Sequence, residues 1–293
     1  MQWYRCRVCG HSFQSPRRSA RRRRSLWHDY VWNRQTIAQL AEHAQRSPRW
    51  IKQQLDGATS PARTIVPQST VIAADMTFWG RGYGVIVFRS PTLKRNLWWT
   101  ESLFETPWIY GDGLRALQRE GWTIQGAVID GKRGVASVFE REGIPVQYCQ
   151  FHQVKTVTTY LTRKPRTDAG KELRALTLRL KDSTEKEFTA GLAAWHGRWA
   201  TFLDEKSPAP HKKRGWEYTH RRIRSAYRSL KENLGRLFTY QQYPDLGLPN
   251  TTNTLDGMFS QIKNRIGAHR GLKRKRRYKM ISEILSGRKK DSN

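Results

Sequence analysis

Asp75, Asp130 and Asp256 are the side chains on which chemistry in this chain would turn. Asp75 closes the apolar run Val71-Ile72-Ala73-Ala74 and Asp130 closes Ala127-Val128-Ile129, so each reads as a carboxylate at the end of a buried strand. Asp256 falls in a segment with helical spacing. Hard divalent cations take oxygen ligands, and two of them about 4 Å apart can activate an attacking hydroxyl while stabilising the leaving oxygen of a phosphodiester. Carboxylates from two strand ends and a later helix would hold such a pair. Any one Asp alone is more simply a turn cap or a surface charge; the shared setting points to metal.

The elements that must position these acids follow from periodicity and punctuation. A strand ending at Asp75 is followed by the turn Gly80-Arg81-Gly82, a strand Tyr83-Gly84-Val85-Ile86-Val87-Phe88 and a third strand around Leu97-Trp98-Trp99-Thr100, all three antiparallel neighbours. A helix over roughly 106–120, with Leu114 and Leu117 inward, leads to the strand ending at Asp130; a helix near 134–142 leads to Pro145-Val146-Gln147-Tyr148. That order is the one of the ribonuclease H-like fold, an α/β architecture with a mixed five-stranded sheet whose first and fourth strands are adjacent. Asp75 and Asp130 would then meet.

The stretch from His152 to Asn250 is too long for a plain connection. Leu173, Leu176, Leu178, Leu180, Phe188, Leu192, Trp195 and Trp199 recur among charges in helical rhythm, so an all-helical insertion is expected over about 158–245. In it Arg221, Arg222 and Arg224 surround apolar Ile223 and Ala226, one side packing and the other facing DNA. Trp216 and Tyr218 are either core or platforms for flipped bases. After Asp256, the residues Phe259, Ile262 and Ile266 look like core, Lys263 and Arg265 face a DNA backbone, and Gly271 stops the helix.

Lys and Arg number 54 against 24 Asp and Glu, a formal net charge of +30. Such a surplus repels itself unless a polyanion neutralises it, which makes double-stranded DNA the expected partner. An architectural DNA binder would share that charge. With 37% apolar and 11% aromatic residues the chain can build a core and is no basic tail. No run approaches the roughly 20 apolar residues of a membrane span, and the start lacks a signal-peptide core, so no membrane partner and a cytoplasmic, nucleoid-associated location are expected. Three cysteines do not suggest a disulfide framework.

Residues 1–15 look like half a zinc ribbon: Cys6 and Cys9 form a CxxC-Gly knuckle, two possible zinc ligands where four are needed. The alternative is a remnant without metal, or a chain that begins late. The basic run with Arg21, Arg22, Arg23 and Arg24 is a solvated arm or a phosphate contact. Ile37, Leu40 and Ala41 share one helical face, and Ser47-Pro48 start a second helix carrying Ile51 and Leu55, the pattern of a helix-turn-helix. In that reading Arg49, Trp50, Lys52 and Gln53 face DNA. A packing pair with the same spacing would lack that role. The expected domains are therefore 1–15, 16–63, a catalytic domain over 64–272 and a basic tail over 273–293.

The chain resembles the mutator-type (MULE-like) DDE transposases of bacterial insertion sequences. The resemblance rests on the Asp75 strand, Val128-Ile129-Asp130-Gly131, Tyr148-Cys149-Gln150-Phe151-His152 and Asn250-Thr251-Thr252-Asn253-Thr254-Leu255-Asp256-Gly257, and covers roughly 65–272. It implies a DNA transposase in which Asp75, Asp130 and Asp256 hold two Mg2+ or Mn2+ ions, with Cys149 and His152 supporting the site. Asn253, three residues before Asp256, would share its helical face and orient the carboxylate or contact DNA. By spacing alone Cys149 and His152 could instead ligate zinc. The family usually places glutamate where this chain has Asp256, one methylene shorter, which leaves either a working aspartate or a dead element. Pairing two element ends implies a homodimer or larger assembly on DNA. A transposase-derived DNA-binding regulator and a structure-selective nuclease of the same fold are the rival readings.

Overall fold

The structure, a computed structural model, describes residues 3–14, 16–58, 65–80 and 82–287, with backbone alone at 13, 14, 16–22 and 24. The chain forms two compact units, residues 1–65 with 258–293, and residues 66–257. The smaller unit opens with an antiparallel hairpin of β1 (Trp3–Arg5) and β2 (Ser12–Gln14), with Cys6 and Cys9 in its turn. Then follow α1 (Pro16–Val31), α2 (Ile37–Ala44) and α3 (Pro48–Asp56). Thr36 and Gln39 close a capping box on α2, and Ser47 caps α3 by accepting from Trp50 N at 3.2 Å.

The larger unit is α/β, built on one mixed five-stranded sheet. Its strands are β3 (Ser69–Phe78), β4 (Gly84–Ser90), β5 (Arg95–Ser102), then α4 (Pro107–Arg119), β6 (Thr123–Ile129), α5 (Ala136–Glu140) and β7 (Val146–Tyr148). The spatial order is β5-β4-β3-β6-β7, with β3 antiparallel to β4 and parallel to β6. First and fourth strands are thus neighbours, as the element order implies. Nearly all of β3 is buried on both faces, which is why it reads as an unbroken apolar run. Phe88 lies at the centre of one packing layer, its ring 5.3 Å from Trp98, 6.0 Å from Tyr110 and 6.2 Å from Phe139. Gly113 lets α4 approach that layer, since a Cβ there would stand 2.7 Å from Trp98.

Asp75 is not at a strand end, contrary to expectation. Parallel pairing of β3 with β6 stops at Ala73, opposite Val128, but antiparallel pairing with β4 carries β3 on to Phe78. The apolar run marks the first boundary only.

After β7 come α6 (Gln150–Leu161), α7 (Asp168–Leu178), α8 (Glu185–Asp204), a hairpin of β8 (Lys206–Pro208) and β9 (Trp216–Tyr218), α9 (Arg221–Leu237) and α10 (Thr239–Gln242). The insertion is therefore not all-helical. Pro208, Pro210 and Gly215 interrupt helix, and the aromatic pair Trp216 and Tyr218 favours strand. The sheet's β7 edge is sealed by this lobe: Thr239 Oγ1 donates to Val146 O at 2.7 Å, and Tyr240 N to Gln147 Oε1 at 2.9 Å.

The chain ends in α11 (Asn253–Gly267), which begins in the larger unit, and α12 (Arg274–Ser286). The basic stretch expected as a tail from 273 is thus largely helix, because Met280 joins Leu26, Trp27, Tyr30, Leu40, Ile51 and Leu55 in the smaller unit's core. Residues 258–272, expected in the catalytic domain, belong with it. Arg276 is buried and makes a bidentate pair with Asp56 at 2.8 and 2.7 Å. Arg288-Lys289-Lys290 lies outside the described residues.

Candidate metal centre

Strand register builds the centre. Ala73 faces Val128, so two residues further Asp75 and Asp130 stand level, with the same parity and on the same face. Gly131 turns the chain away with a left-handed φ of 86°, which lets Lys132 N donate back to Asp130 Oδ1 at 2.9 Å. Asp75 is buried, and its Oδ1 accepts from Met76 N at 2.7 Å. Burial and the Asp130 charge beside it push the Asp75 carboxyl up to about 7 despite that bond.

The third acid reaches the site through a strap. Gln150 N donates to Asn250 O at 2.9 Å and Asn250 Nδ2 to Gln150 Oε1 at 3.1 Å, pinning the segment before α11 to the start of α6. Thr252, fully buried, then sits between three site groups. Its N and Oγ1 both lie 3.3 Å from Cys149 Sγ, and Oγ1 is 3.4 Å from His152 Nδ1 and 3.5 Å from Asp256 Oδ2. One hydroxyl proton serves only one acceptor at a time, so the Thr252 rotor couples thiol and carboxylate. His152 Nε2 lies 4.0 Å from Asp256 Oδ1. Its hydrogen bond to Cys149 outweighs burial and, with the charges of Asp75 and Asp256, pushes the imidazole up to about 9. Burial pushes the Cys149 thiol up, but hydrogen bonds from His152 and Thr252 win and the net direction is down.

Two groups able to hold a cation result: Asp75, Glu105 and Asp130, and Asp75, His152 and Asp256, each with ligand atoms within 4.8 Å of one another. Asp75 belongs to both. The first offers oxygen donors alone, which suits magnesium or manganese; the second adds an imidazole, which manganese also accepts. Cys149, with its sulfur turned to Thr252, joins neither group. Asp256 thus converges with Asp75, although Asp130 and Asp256 share no single group.

Two members were not found from sequence. Glu105 precedes α4, is pushed up by burial and by Asp130, accepts from Tyr110 Oη at 2.7 Å and lies 3.6 Å from Lys132 Nζ. Its only sequence signal is an acid directly before the Thr-Pro start of a helix. Thr252 carried the signal of a hydroxyl just ahead of α11, and it makes the contacts expected of Asn253, which is exposed.

The other expected residues divide sharply. Arg49, Lys52 and Gln53 are exposed on α3, but Trp50 is half-buried against the smaller unit's core. The Arg23 side chain donates to Gln54 Oε1 at 2.9 Å, while those of Arg21, Arg22 and Arg24 lie outside the described residues. Arg221 pairs with Glu217 at 3.1 Å, Arg222 donates to Thr159 O at 2.6 Å, and Arg224 binds Leu203 O and Asp204 at 2.7 and 2.8 Å. All three make contacts within the insertion, and Arg221 and Arg222 are exposed. Arg265 donates to Trp32 O at 3.2 Å, and Lys263 is exposed. Lys206 and Arg214 lie 4.4 and 4.3 Å from the Trp216 ring centroid, and Arg224 3.6 Å from that of Tyr218, so cations cover the two rings considered as platforms. Cys6 is held below the usual thiol range by hydrogen bonds from Cys9 and Val8; among the described residues no third ligand joins these two cysteines.

No protein-family model matches the chain, and no curated protein matches it. Among the described residues no helix is long and apolar enough to cross a membrane.

Proposed function

We propose that this chain is a DNA transposase with a ribonuclease H-like catalytic unit, binding the ends of its own element and carrying out cleavage and strand transfer as successive in-line phosphoryl transfers. The observation that carries the reading is the membership of Asp75 in both ligand groups, because a buried carboxylate shared by two adjacent cation positions is what paired-metal phosphodiester chemistry requires. Magnesium or manganese bound there would polarise the phosphate and sharpen a water or 3′-hydroxyl as nucleophile. The chain's own groups hold that arrangement. Asp75 would serve both positions, Asp130 and Glu105 would complete one and His152 and Asp256 the other, with Thr252 orienting Asp256.

Further support comes from strand order and charge. The parallel β3–β6 pair inside an otherwise antiparallel start is compatible with a ribonuclease H-like arrangement, and a net charge of +30 favours a polyanionic substrate. In the smaller unit a cleft of about 580 Å³ lined by Lys52, Arg270 and Lys273 adds a basic surface beside α3. Joining two ends requires a homodimer or larger assembly on DNA, in the nucleoid.

The test is incubation of purified protein with magnesium or manganese, labelled DNA ends from either side of the coding region and a supercoiled target plasmid. Joined products that vanish in Asp75→Ala are expected. Cutting without joining would make the protein a structure-selective nuclease, and DNA binding unaltered in Asp75→Ala with no cutting would make it a regulator.

A further inference from the structure

The larger unit exposes large apolar side chains where its acids are. Phe104 is 69% and Trp108 72% exposed, on either side of Glu105, and Leu103 is 46% exposed beside them. Phe151, 50% exposed, directly precedes His152, with ring centroids 5.7 Å apart. Each ligand group around Asp75 therefore carries its own open aromatic ring. Leaving such rings in water forfeits the burial that Phe88, Tyr110 and Phe139 obtain in the same unit. Pro107 starts α4, which sets Trp108 in its first turn, and Phe104 lies three residues before the helix. Arg115 lies 5.2 Å from the Trp108 ring centroid and supplies a cation that a polyanion would meet.

We infer that Phe104 and Trp108 form a stacking rim that takes an unpaired nucleobase next to the scissile phosphate, so that the site prefers locally melted or single-stranded DNA over closed duplex. The inference rests on the polynucleotide reading above. A phosphate held at the acids carries its base only a few ångströms away. In a closed duplex that base is stacked on its neighbours and presents only an edge, whereas an unstacked base offers a face to a ring at the site's border.

The experiment uses the full-length protein with calcium and two oligonucleotide probes, a closed duplex and the same duplex with a central mismatched bubble containing 2-aminopurine. The wild-type chain should quench the 2-aminopurine and bind the bubble about tenfold more tightly than the closed duplex. Phe104→Ala with Trp108→Ala should abolish both quenching and preference while leaving closed-duplex affinity unchanged, and Phe104→Tyr with Trp108→Phe should restore them. Equal losses on both probes, or unchanged quenching, would overturn the rim. So would a double-alanine variant that merely turns a dimer into a monomer, since the patch would then join two copies. The joining assay with magnesium, run on the wild-type chain, separates the two readings: a protein that never cuts yet stacks fails only as an enzyme, and one that cuts without stacking fails only here.

Discussion

Asp75 and Arg276 are both charged groups taken out of water, in different units and on opposite terms. Arg276 arrives with its counter-ion: Asp56 grips it with two hydrogen bonds. Asp75 arrives among its own sign, with Asp130, Glu105 and Asp256 close by and its carboxyl pushed up to about 7. A chain holding 54 Lys and Arg could have neutralised that cluster many times over. Among the described residues Lys132 Nζ lies 3.6 Å from Glu105, and His152 Nε2 lies 4.0 Å from Asp256. Pairing is the signature of a structural charge, and clustered repulsion is the signature of a place kept for a cation.

Breaking this contrast at Asp75 should produce the largest effect. Its pKa is 3.8 in the unfolded chain and about 7 in the fold. The folded state therefore keeps a proton that the unfolded state releases, and stability falls as pH rises from about 4 to 7. Asp75→Asn removes that fall, so without metal its melting temperature should exceed that of the wild type by a margin that widens across this window and then levels off, by an amount worth several kcal/mol. Manganese should raise the wild-type melting temperature and not the variant's. A variant less stable than wild type at pH 7 and metal-free would show that Asp75 is under no strain.

The opposite outcome is expected in the smaller unit. Asp56→Ala strands Arg276 without its partner and should cost about 2–3 kcal/mol, read by denaturant unfolding, while leaving the manganese response intact. Glu105→Gln keeps the Tyr110 contact but withdraws a charge, and should weaken manganese binding about tenfold by calorimetry. Unchanged affinity would return Glu105 to a purely structural role. Ser47→Ala should be the mildest, removing the α3 cap for about 1 kcal/mol with no change in metal binding.

How much of this was legible depended on whether the determinant is local. The Ser47 cap, the apolar helical faces and the apolar β3 and β6 runs are written in neighbouring residues, and they placed the elements and the strand order. Asp75 and Asp130 were legible for the same reason, because register follows once the strands are known. The end of β3 was not, since β4 prolongs it from across the sheet. Glu105 and Thr252 were missed because each owes its place to a fold that returns a helix entrance to a strand end. The contacts of the insertion arginines were not legible because their partners Thr159 and Asp204 lie in other helices, and a basic helix face looks the same in sequence whether it faces solvent or a neighbour's carbonyls.

The strap from Asn250 to Thr252, tied to Gln150 and Cys149, makes the whole helical lobe a detour whose two ends are stapled together. For a flexible excursion closed at its base, each doubling of length costs only about 0.6 kcal/mol. Asp256 therefore depends on the staple far more than on the mileage between its ends. Such a seam is a natural address for foreign cargo: a tag or whole domain spliced at the exposed turn of Arg163 and Lys164 would ride on the protein with the carboxylates undisturbed.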